Sequence, residues 1–252
     1  MTPPRKAKGR PSPRRIVTET SSESNVPLVS GTDQESIPSS VRATLPGDTA
    51  VTWLVIAPLM PTSAYLIGGT ALTVQLQHRV SCDLLFFLEQ EEDLDALWAA
   101  FRSAGNVVAS ERSEGTLNCL FNETKVQVLD ASTQRLVRTT TRVAGIRVAS
   151  VEDIMAAKIK VIIDRGELRD YFDLMRIEQQ VGLQAESGIA LAVQKYDPQD
   201  KATFVFTFLK ALGSFSDVAD DLSLSVGRQV IEEYWTKRQL QLAKRFDSFG
   251  GA

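Results

Sequence analysis

Two kinds of hydrophobic pattern divide this sequence at Ser150. Upstream of it, short apolar runs predict strands, among them Thr116–Phe121 and Lys125–Leu129, which a three-residue polar turn joins into a hairpin. Downstream of it, apolar residues recur at helical spacing almost to the end of the chain. The sequence therefore predicts an α/β (α+β) fold, with a mixed β-sheet lobe over residues 46–149 and a helical region over residues 150–252.

The N-terminal segment has a different composition from the rest of the chain. Residues 1–45 are rich in Pro, Ser, Thr and charge, and contain few large apolar side chains. Such a segment buries too little surface to offset the entropy of ordering it, so we predict that it is disordered. It opens with a basic cluster of Arg5, Lys6, Lys8, Arg10, Arg14 and Arg15. The cluster is either a solvated tail or a weak electrostatic arm for nucleic acid.

Composition argues against several classes of protein. Of the 252 residues, 43% are apolar and 23% are charged, which are ordinary values for a globular chain. No apolar run approaches the length that crosses a bilayer, and the basic start lacks the apolar segment of a secretory signal. We therefore expect a cytoplasmic protein without a membrane partner. The net charge of −3 argues against a uniformly basic nucleic-acid-binding surface.

A pair of glycines, Gly68-Gly69, precedes Thr70 between an apolar stretch and a short predicted helix, Thr70–Gln77. Paired glycines let backbone N–H groups approach a phosphate closely, and the positive end of a helix dipole favours the same ligand. The same pattern also occurs in tight turns, so both interpretations stay open at this point.

Asp83 lies in a strongly apolar segment, Cys82–Leu88, which predicts a strand. A carboxylate among apolar neighbours is costly unless it is paired or bound to a metal, so Asp83 is a candidate metal ligand. Strand alternation places Asp83 and Leu85 on one face. The alternative is an aspartate at the strand edge that caps a neighbouring loop.

Two helices of the helical region carry charged residues on their apolar faces. Lys158 lies in the middle of an apolar stripe and Arg165 at its edge, where each either faces phosphates or extends to water. On the next helix, Asp170 shares a face with apolar residues, and Asp173 lies one turn further on. The alternative to a functional role is an ion pair between either aspartate and Arg165 or Arg169.

The order and spacing of these motifs resemble the AbiEii/AbiGii-type toxin family of the nucleotidyltransferase superfamily. That family typically shows a Gly-Gly-Thr-Ala-Leu loop, a His-Arg-x-Ser-x-Asp-x-Asp-Phe-Phe strand, an Asp-x-x-x-x-Lys helix, an Arg-Gly pair and an Arg/Lys-Asp-x-x-Asp-Leu helix. The corresponding segments here are Gly68–Leu72, His78–Phe87, Asp153–Lys158, Arg165-Gly166 and Arg169–Leu174. The resemblance extends from Tyr65 to Val181 and does not cover the N-terminal segment.

The resemblance implies a nucleotidyltransferase-type sheet lobe followed by a helical lobe, and transfer of a nucleotide from an NTP to an acceptor. Characterised members act as toxins partnered by an antitoxin, and some add nucleotides to the 3′ end of tRNA. By position, the residues expected to contact the NTP are Gly68, Gly69, Thr70, Arg79 and Arg165. The catalytic residues implied are Asp83 as a ligand of Mg²⁺ or Mn²⁺, Lys158 as a phosphate or substrate contact, and Asp170 as a base or positioning group.

Two further residues of the motif admit more than one role. His78, the only histidine, would be an unusual general base, and its position favours a structural role at a helix end. Arg79 either reaches a phosphate or anchors the loop.

The sequence departs from the family at the second carboxylate of the metal-binding strand, where Leu85 stands. Leucine cannot coordinate Mg²⁺, and it puts apolar surface where the ion would lie. Asp130, at the end of the Lys125–Leu129 strand, is a candidate third carboxylate that would share a metal ion with Asp83. Gln127 occupies a comparable position on that strand, so the alignment stays open.

Three functions follow from this departure. The first is an active nucleotidyltransferase, which requires Asp83 and Asp130 to converge on one ion. The second, which Leu85 favours, is a catalytically degenerate relative that binds nucleotide, RNA or a protein partner. The third is nucleotide transfer to a small molecule, which an acidic cleft without a basic surface of RNA size would favour.

Overall fold

The computed structural model describes residues 36–247, in which a mixed sheet is combined with α-helices. The strands are β1 (Ala64–Ile67), β2 (Leu84–Leu88), β3 (Val107–Ser113), β4 (Thr116–Phe121), β5 (Thr124–Asp130), β6 (Thr141–Val143) and β7 (Ile146–Val148). The helices are α1 (Ser39–Arg42), α2 (Gly47–Ile56), α3 (Gly68–Leu76), α4 (Leu94–Ala104), α5 (Val151–Arg165), α6 (Leu168–Val181), α7 (Ala185–Tyr196), α8 (Lys201–Leu212) and α9 (Arg228–Asp247).

The seven strands form one sheet in the order β3-β4-β5-β2-β1-β7-β6. Neighbouring strands are antiparallel, except that β2 is parallel to β5 and β1 is parallel to β7. Helices α5 to α9 follow the last strand, so the predicted α/β architecture is confirmed. The described strands and helices belong to one compact unit with a shared hydrophobic core. Within residues 36–247, no helix combines the length and apolarity needed to cross a membrane.

Burial alternates along the two strands at the centre of the sheet. The residues of one face are fully buried, namely Leu84, Phe86, Leu88, Val126 and Val128. Helix α2 packs on β5 and helix α4 on β4. The opposite face carries Leu85 and Gln127, which are only half-buried and line the cleft that contains the candidate site.

The ordered part of the chain begins earlier than we predicted. Ile37, Val41 and Leu45 are buried in the core, so residues 36–45 are not the disordered segment expected there. These apolar residues are few, but they recur every four positions and therefore meet the core from one side of the segment. The rest of the predicted tail, residues 1–35 with the basic cluster, lies outside the described residues.

One strand boundary near the candidate site and one additional strand differ from the sequence prediction. Strand β2 begins at Leu84, so Asp83 precedes the strand instead of lying inside it. Strand β6 was not predicted, because its three residues are half or fully exposed and too few to show an alternating pattern.

Helix α5 packs on α3, α6, α7 and α8. Ser150 caps its first turn by accepting the backbone N–H of Asp153. Asp153 is completely buried, pairs with Lys195 of α7 at 3.1 Å, and accepts the backbone N–H groups of Val137 and Arg138. This ion pair connects α5, α7 and the segment that follows β5.

Candidate functional site

A cleft of about 360 Å³ lies where the start of α3, the start of β2, strand β5 and helices α5 and α6 meet. The predicted site residues that line it are Gly68, Gly69, Thr70, Arg79, Asp83, Lys158, Arg165 and Asp170. The remaining predicted residue, Asp130, is not part of the lining. Folding therefore gathers the motif residues from separate segments into one cleft.

The geometry of the β1–α3 junction requires both glycines. Gly68 starts α3 directly after β1 with a φ of +80°, a conformation that residues with a side chain rarely adopt. A Cβ atom at Gly69 would lie within 3.0 Å of the Arg79 guanidinium group. The first N–H groups of a helix have no partner inside the helix, so this end of α3 can donate to an anion in the cleft.

Thr70 has a different role from the predicted phosphate contact. Its hydroxyl group donates to the backbone oxygen of Asp83 and lies 2.7 Å from the hydroxyl oxygen of Ser81. Because Thr70 is almost completely buried, its hydroxyl is committed to holding the start of β2 against α3. The side chain therefore positions Asp83, and its hydroxyl hydrogen is not available to a ligand in the cleft.

A fully buried carboxylate, that of Asp173, holds the cations beside the cleft. Its Oδ1 atom accepts from His78 Nε2 at 2.8 Å and from Arg79 Nε at 2.7 Å. Its Oδ2 atom accepts from Arg79 Nη2 at 2.9 Å and from Lys158 Nζ at 2.7 Å. Arg79 thus anchors the loop, and His78 has the structural role that its position favoured.

Asp170 is also fully engaged. Its Oδ1 atom accepts from Lys158 Nζ at 2.6 Å, and its Oδ2 atom accepts the backbone N–H of Glu167 in the capping box of α6. Arg165 and Arg169, the ion-pair partners that we considered for the aspartates, contact Glu167 instead, at 3.3 and 2.9 Å. The packing of α5 against α6 brings Lys158 to the aspartates, whereas both arginines remain at the exposed edge.

Mutual pairing keeps these buried groups charged. Burial would raise the pKa of Asp173, but the charge of Lys158 and the hydrogen bonds from Arg79 and His78 hold that pKa well below its ordinary value. Burial also disfavours the charged form of Lys158, yet the carboxylates of Asp173 and Asp170 raise its pKa above the ordinary value. The charges of Arg79 and Lys158 are thus permanent, but they are already compensated within the protein.

The pairing of β2 with β5 determines where the candidate metal ligands lie. Leu85 is opposite Gln127, and Leu88 is opposite Asp130. At about 3.3 Å per residue, Asp130 lies roughly 16 Å along the sheet from Asp83. The prediction that Asp83 and Asp130 share one metal ion is therefore wrong, because strand alternation predicts the face of a residue but not its register with the neighbouring strand.

The floor of the cleft consists of Asp83 and of the neighbouring strand residues Leu85, Lys125 and Gln127. These residues do not fit the metal centre that the family resemblance implies. Asp83 is followed on the same face by the apolar Leu85, and Gln127 stands beside Leu85. Gln127 brings an amide without charge, and its Nε2 atom donates to Asn118 Oδ1 at 3.3 Å. Throughout residues 36–247, no three His, Cys, Asp or Glu side chains are arranged to hold a metal ion. Neutral side chains thus stand beside Asp83 where a divalent ion would need carboxylates.

The cleft also contains charged residues that the motifs did not assign to it, namely Lys125, Glu167, Arg169 and Asp221. Lys125 lies on the same face of β5 as Gln127, so strand alternation was a signal that could have identified it. Asp221 belongs to the segment between α8 and α9 and lies 3.6 Å from Arg169. A hydrogen bond from Ser223 lowers the pKa of Asp221, which favours its charged form. No local pattern marks Asp221, because only the folded chain brings it to the cleft.

This combination of glycine loop, sheet and helices is that of a known protein family. A family model described as "Nucleotidyl transferase AbiEii toxin, Type IV TA system" matches residues 56–249, well over half of the chain. The chain belongs to the AbiEii family. The AbiEii match includes the whole lining of the cleft, and it confirms the resemblance that the motifs indicated.

Individual relatives of this AbiEii-family chain are distant. An uncharacterized protein of Aquifex aeolicus (strain VF5) is 28% identical over 174 residues, which are 68% of this chain and 80% of that protein. MenT4, a nucleotidyltransferase toxin of Mycobacterium tuberculosis H37Rv, superposes with a TM-score of 0.53 at 16% identity, over 78% of this chain and 84% of that one. A solved structure from H. pylori has a TM-score of 0.50 at 16% identity, over 79% and 94%. At this identity, the two solved structures establish the similarity of fold alone.

Proposed function

We propose that this AbiEii-family chain binds a nucleotide in the cleft through its phosphates and has lost metal-centred nucleotide transfer. The observation that carries the proposal is the β2–β5 register, which sets Leu85 beside Gln127 and removes Asp130 from the cleft. Nucleotide transfer depends on metal ions that stabilise the attacking and leaving oxygens. Beside Leu85 and Gln127, the cleft offers such ions the carboxylate of Asp83. Its other carboxylates, those of Asp170, Glu167 and Asp221, already pair with cations of the chain.

Groups that suit a phosphate support the binding half of the proposal. The start of α3 presents backbone N–H donors at Gly68 and Gly69, where the helix dipole favours negative charge. Arg165 and Arg169 add guanidinium groups at the edge of the cleft, and such groups pair well with phosphate oxygens. These groups support phosphate binding on this side of the cleft.

Transfer of a nucleotide to an acceptor is the second candidate function. It is favoured by one observation, since Asp83, Lys158 and Asp170 of the family motif all remain in the cleft. In this candidate Asp170 has the role of base or positioning group, and the 3′ end of tRNA is the proposed acceptor. Because the family is one of toxins in toxin–antitoxin systems, we also propose an antitoxin as the protein partner under either candidate.

Two assays on the same preparation test these functions. Calorimetric titration with ATP, CTP, GTP and UTP measures binding, and incubation with each radiolabelled NTP, Mg²⁺ or Mn²⁺, and total tRNA measures transfer. We expect the native chain to bind at least one NTP and to transfer no label, and the Leu85→Asp variant to gain transfer. Label transfer by the native chain that is lost in Asp83→Ala would instead establish the second candidate.

The control variant for both assays is Asp130→Asn. It removes a carboxylate from the same strand as Gln127, at the end of the sheet remote from the cleft. We expect it to match the native chain in binding and in transfer. A variant that differs from the native chain in NTP binding or in label transfer would show that Asp130 contributes to the site, contrary to its position in the β2–β5 register.

A further inference from the structure

We propose that the cleft binds the polyphosphate of its nucleotide without a divalent cation, and that Lys125 supplies positive charge where a metal ion would otherwise be needed. This inference rests on the proposed nucleotide binding. It starts from the observation that the uncharged Leu85 and Gln127 do not fit a metal centre on the floor of the cleft.

The charge of the floor makes a metal ion unnecessary for binding. Clustered carboxylates repel a phosphate unless metal ions lie between the two. Here Leu85 and Gln127 contribute no charge, so the repulsion at this point comes from Asp83 alone. A phosphate can therefore approach this part of the floor without an ion to screen it.

Lys125 is positioned to offset that remaining charge. It is the residue before Val126, whose register partner is Leu84, the residue after Asp83. Lys125 and Asp83 therefore each lie one residue before the first registered pair of the two parallel strands, and both line the cleft. The Lys125 side chain is exposed and has no hydrogen bond or ion pair with any residue of the described chain. Its ammonium group is thus free to meet a ligand.

The arginines at the edge of the cleft can join Lys125. Arg165 and Arg169 have side chains that are 73% and 46% exposed, and their ion pairs with Glu167 lie at the surface. Exposed ion pairs of this kind contribute little, so either guanidinium group can turn towards a phosphate at small cost. Arg79 and Lys158 differ from them because the buried Asp173 already holds both.

The test is calorimetric titration of the full chain with each NTP and with inorganic tripolyphosphate, in EDTA and in excess Mg²⁺. We expect the Kd in EDTA to be equal to or lower than the Kd in Mg²⁺, because Mg²⁺ masks the charge of the ligand. Binding only in Mg²⁺ would overturn this inference and leave the proposed function standing. Binding in neither condition would overturn both.

Single variants identify the groups involved. In EDTA, Lys125→Gln is expected to weaken binding about fivefold, the effect of losing one exposed charge contact. The matched control Lys237→Gln, an exposed lysine of α9 outside the cleft, is expected to leave the Kd unchanged. Asp83→Asn is expected to leave binding unchanged or to tighten it, because a carboxylate beside a phosphate is repulsive. Loss of binding in Asp83→Asn would overturn the inference, since the Asp83 carboxylate would then support binding instead of opposing it.

A double variant adds the carboxylates that the floor of the cleft lacks. Leu85→Asp combined with Gln127→Asp places two carboxylates on the face that Asp83 shares, and binding is then expected to require Mg²⁺. Circular dichroism of the double variant checks that it folds. A folded double variant that still binds equally well in EDTA would contradict the role given to the floor charge.

Discussion

The buried carboxylate of Asp173 pairs with both Arg79 and Lys158 beside the cleft, and Lys158 has Asp170 as a second partner. Removing one partner of a buried ion pair leaves the other charge buried without compensation and typically costs about 3–5 kcal/mol. We therefore expect Asp173→Asn to lower the free energy of unfolding by about 3 kcal/mol, as measured by urea denaturation at pH 7. The control is Asp164→Asn, which breaks an exposed pair with Lys160 and is expected to cost less than about 0.5 kcal/mol. Equal losses in the two variants would contradict this role of Asp173.

The same carboxylate predicts a pH dependence of stability. The pKa of Asp173 is lower in the folded chain than in the unfolded chain, where an aspartate has a pKa of about 3.9. Its stabilising contribution is therefore complete above about pH 5 and is lost as the pH falls from there, through the unfolded pKa, towards the folded pKa. The difference in unfolding free energy between the native chain and Asp173→Asn is expected to shrink between pH 5 and about pH 3. A difference that does not change over this range would rule out the ionised carboxylate as its source.

At the scale of secondary-structure elements, the pair of Asp153 and Lys195 connects α5 with α7. Lys195 Nζ also donates to the backbone oxygen of Arg135 at 3.1 Å, so the pair reaches the segment after β5 as well. We expect Lys195→Met to lower the free energy of unfolding by about 3 kcal/mol, because it leaves the carboxylate of Asp153 buried without a cation. Urea denaturation measures the change.

A double variant separates charge from packing at this pair. If uncompensated charge is the cause, Asp153→Asn combined with Lys195→Met is expected to recover part of the stability that Lys195→Met loses. A double variant whose loss is the sum of both single losses would show that the two residues act independently.

At the scale of the whole molecule, the start of the described chain supports the cleft from a distance. Ile37, Val41 and Leu45 are buried, and the backbone oxygen of Thr44 accepts the N–H of Ser81 at 3.3 Å, two residues before Asp83. A chain that starts at residue 46 is therefore expected to be about 4 kcal/mol less stable than one that starts at residue 36. Thermal unfolding and nucleotide titration of the two truncated chains measure the effect. Equal melting temperatures would show that this segment does not support the core.

Local sequence patterns were sufficient to predict most of the secondary-structure elements. Residue periodicity predicted the change from sheet to helices at Ser150, and helices α5 to α9 follow it in the structure. Element types follow from periodicity because they depend on neighbours within a few positions along the chain. The glycine loop and the departure at Leu85 are likewise features of short segments, so the sequence shows them directly.

Only the folded chain decided which residues meet in the cleft. The register of β2 with β5 places Gln127 beside Leu85 and Asp130 at the far end of β5. The packing of the helices brings Asp173 into contact with Lys158 and Arg79. These outcomes depend on contacts between segments far apart in sequence, which local periodicity does not encode. The sequence alone was enough to identify the family and to show that its second metal ligand is missing. The tertiary structure showed that Asp130 does not replace that ligand, because the sheet register fixes the distance between Asp83 and Asp130.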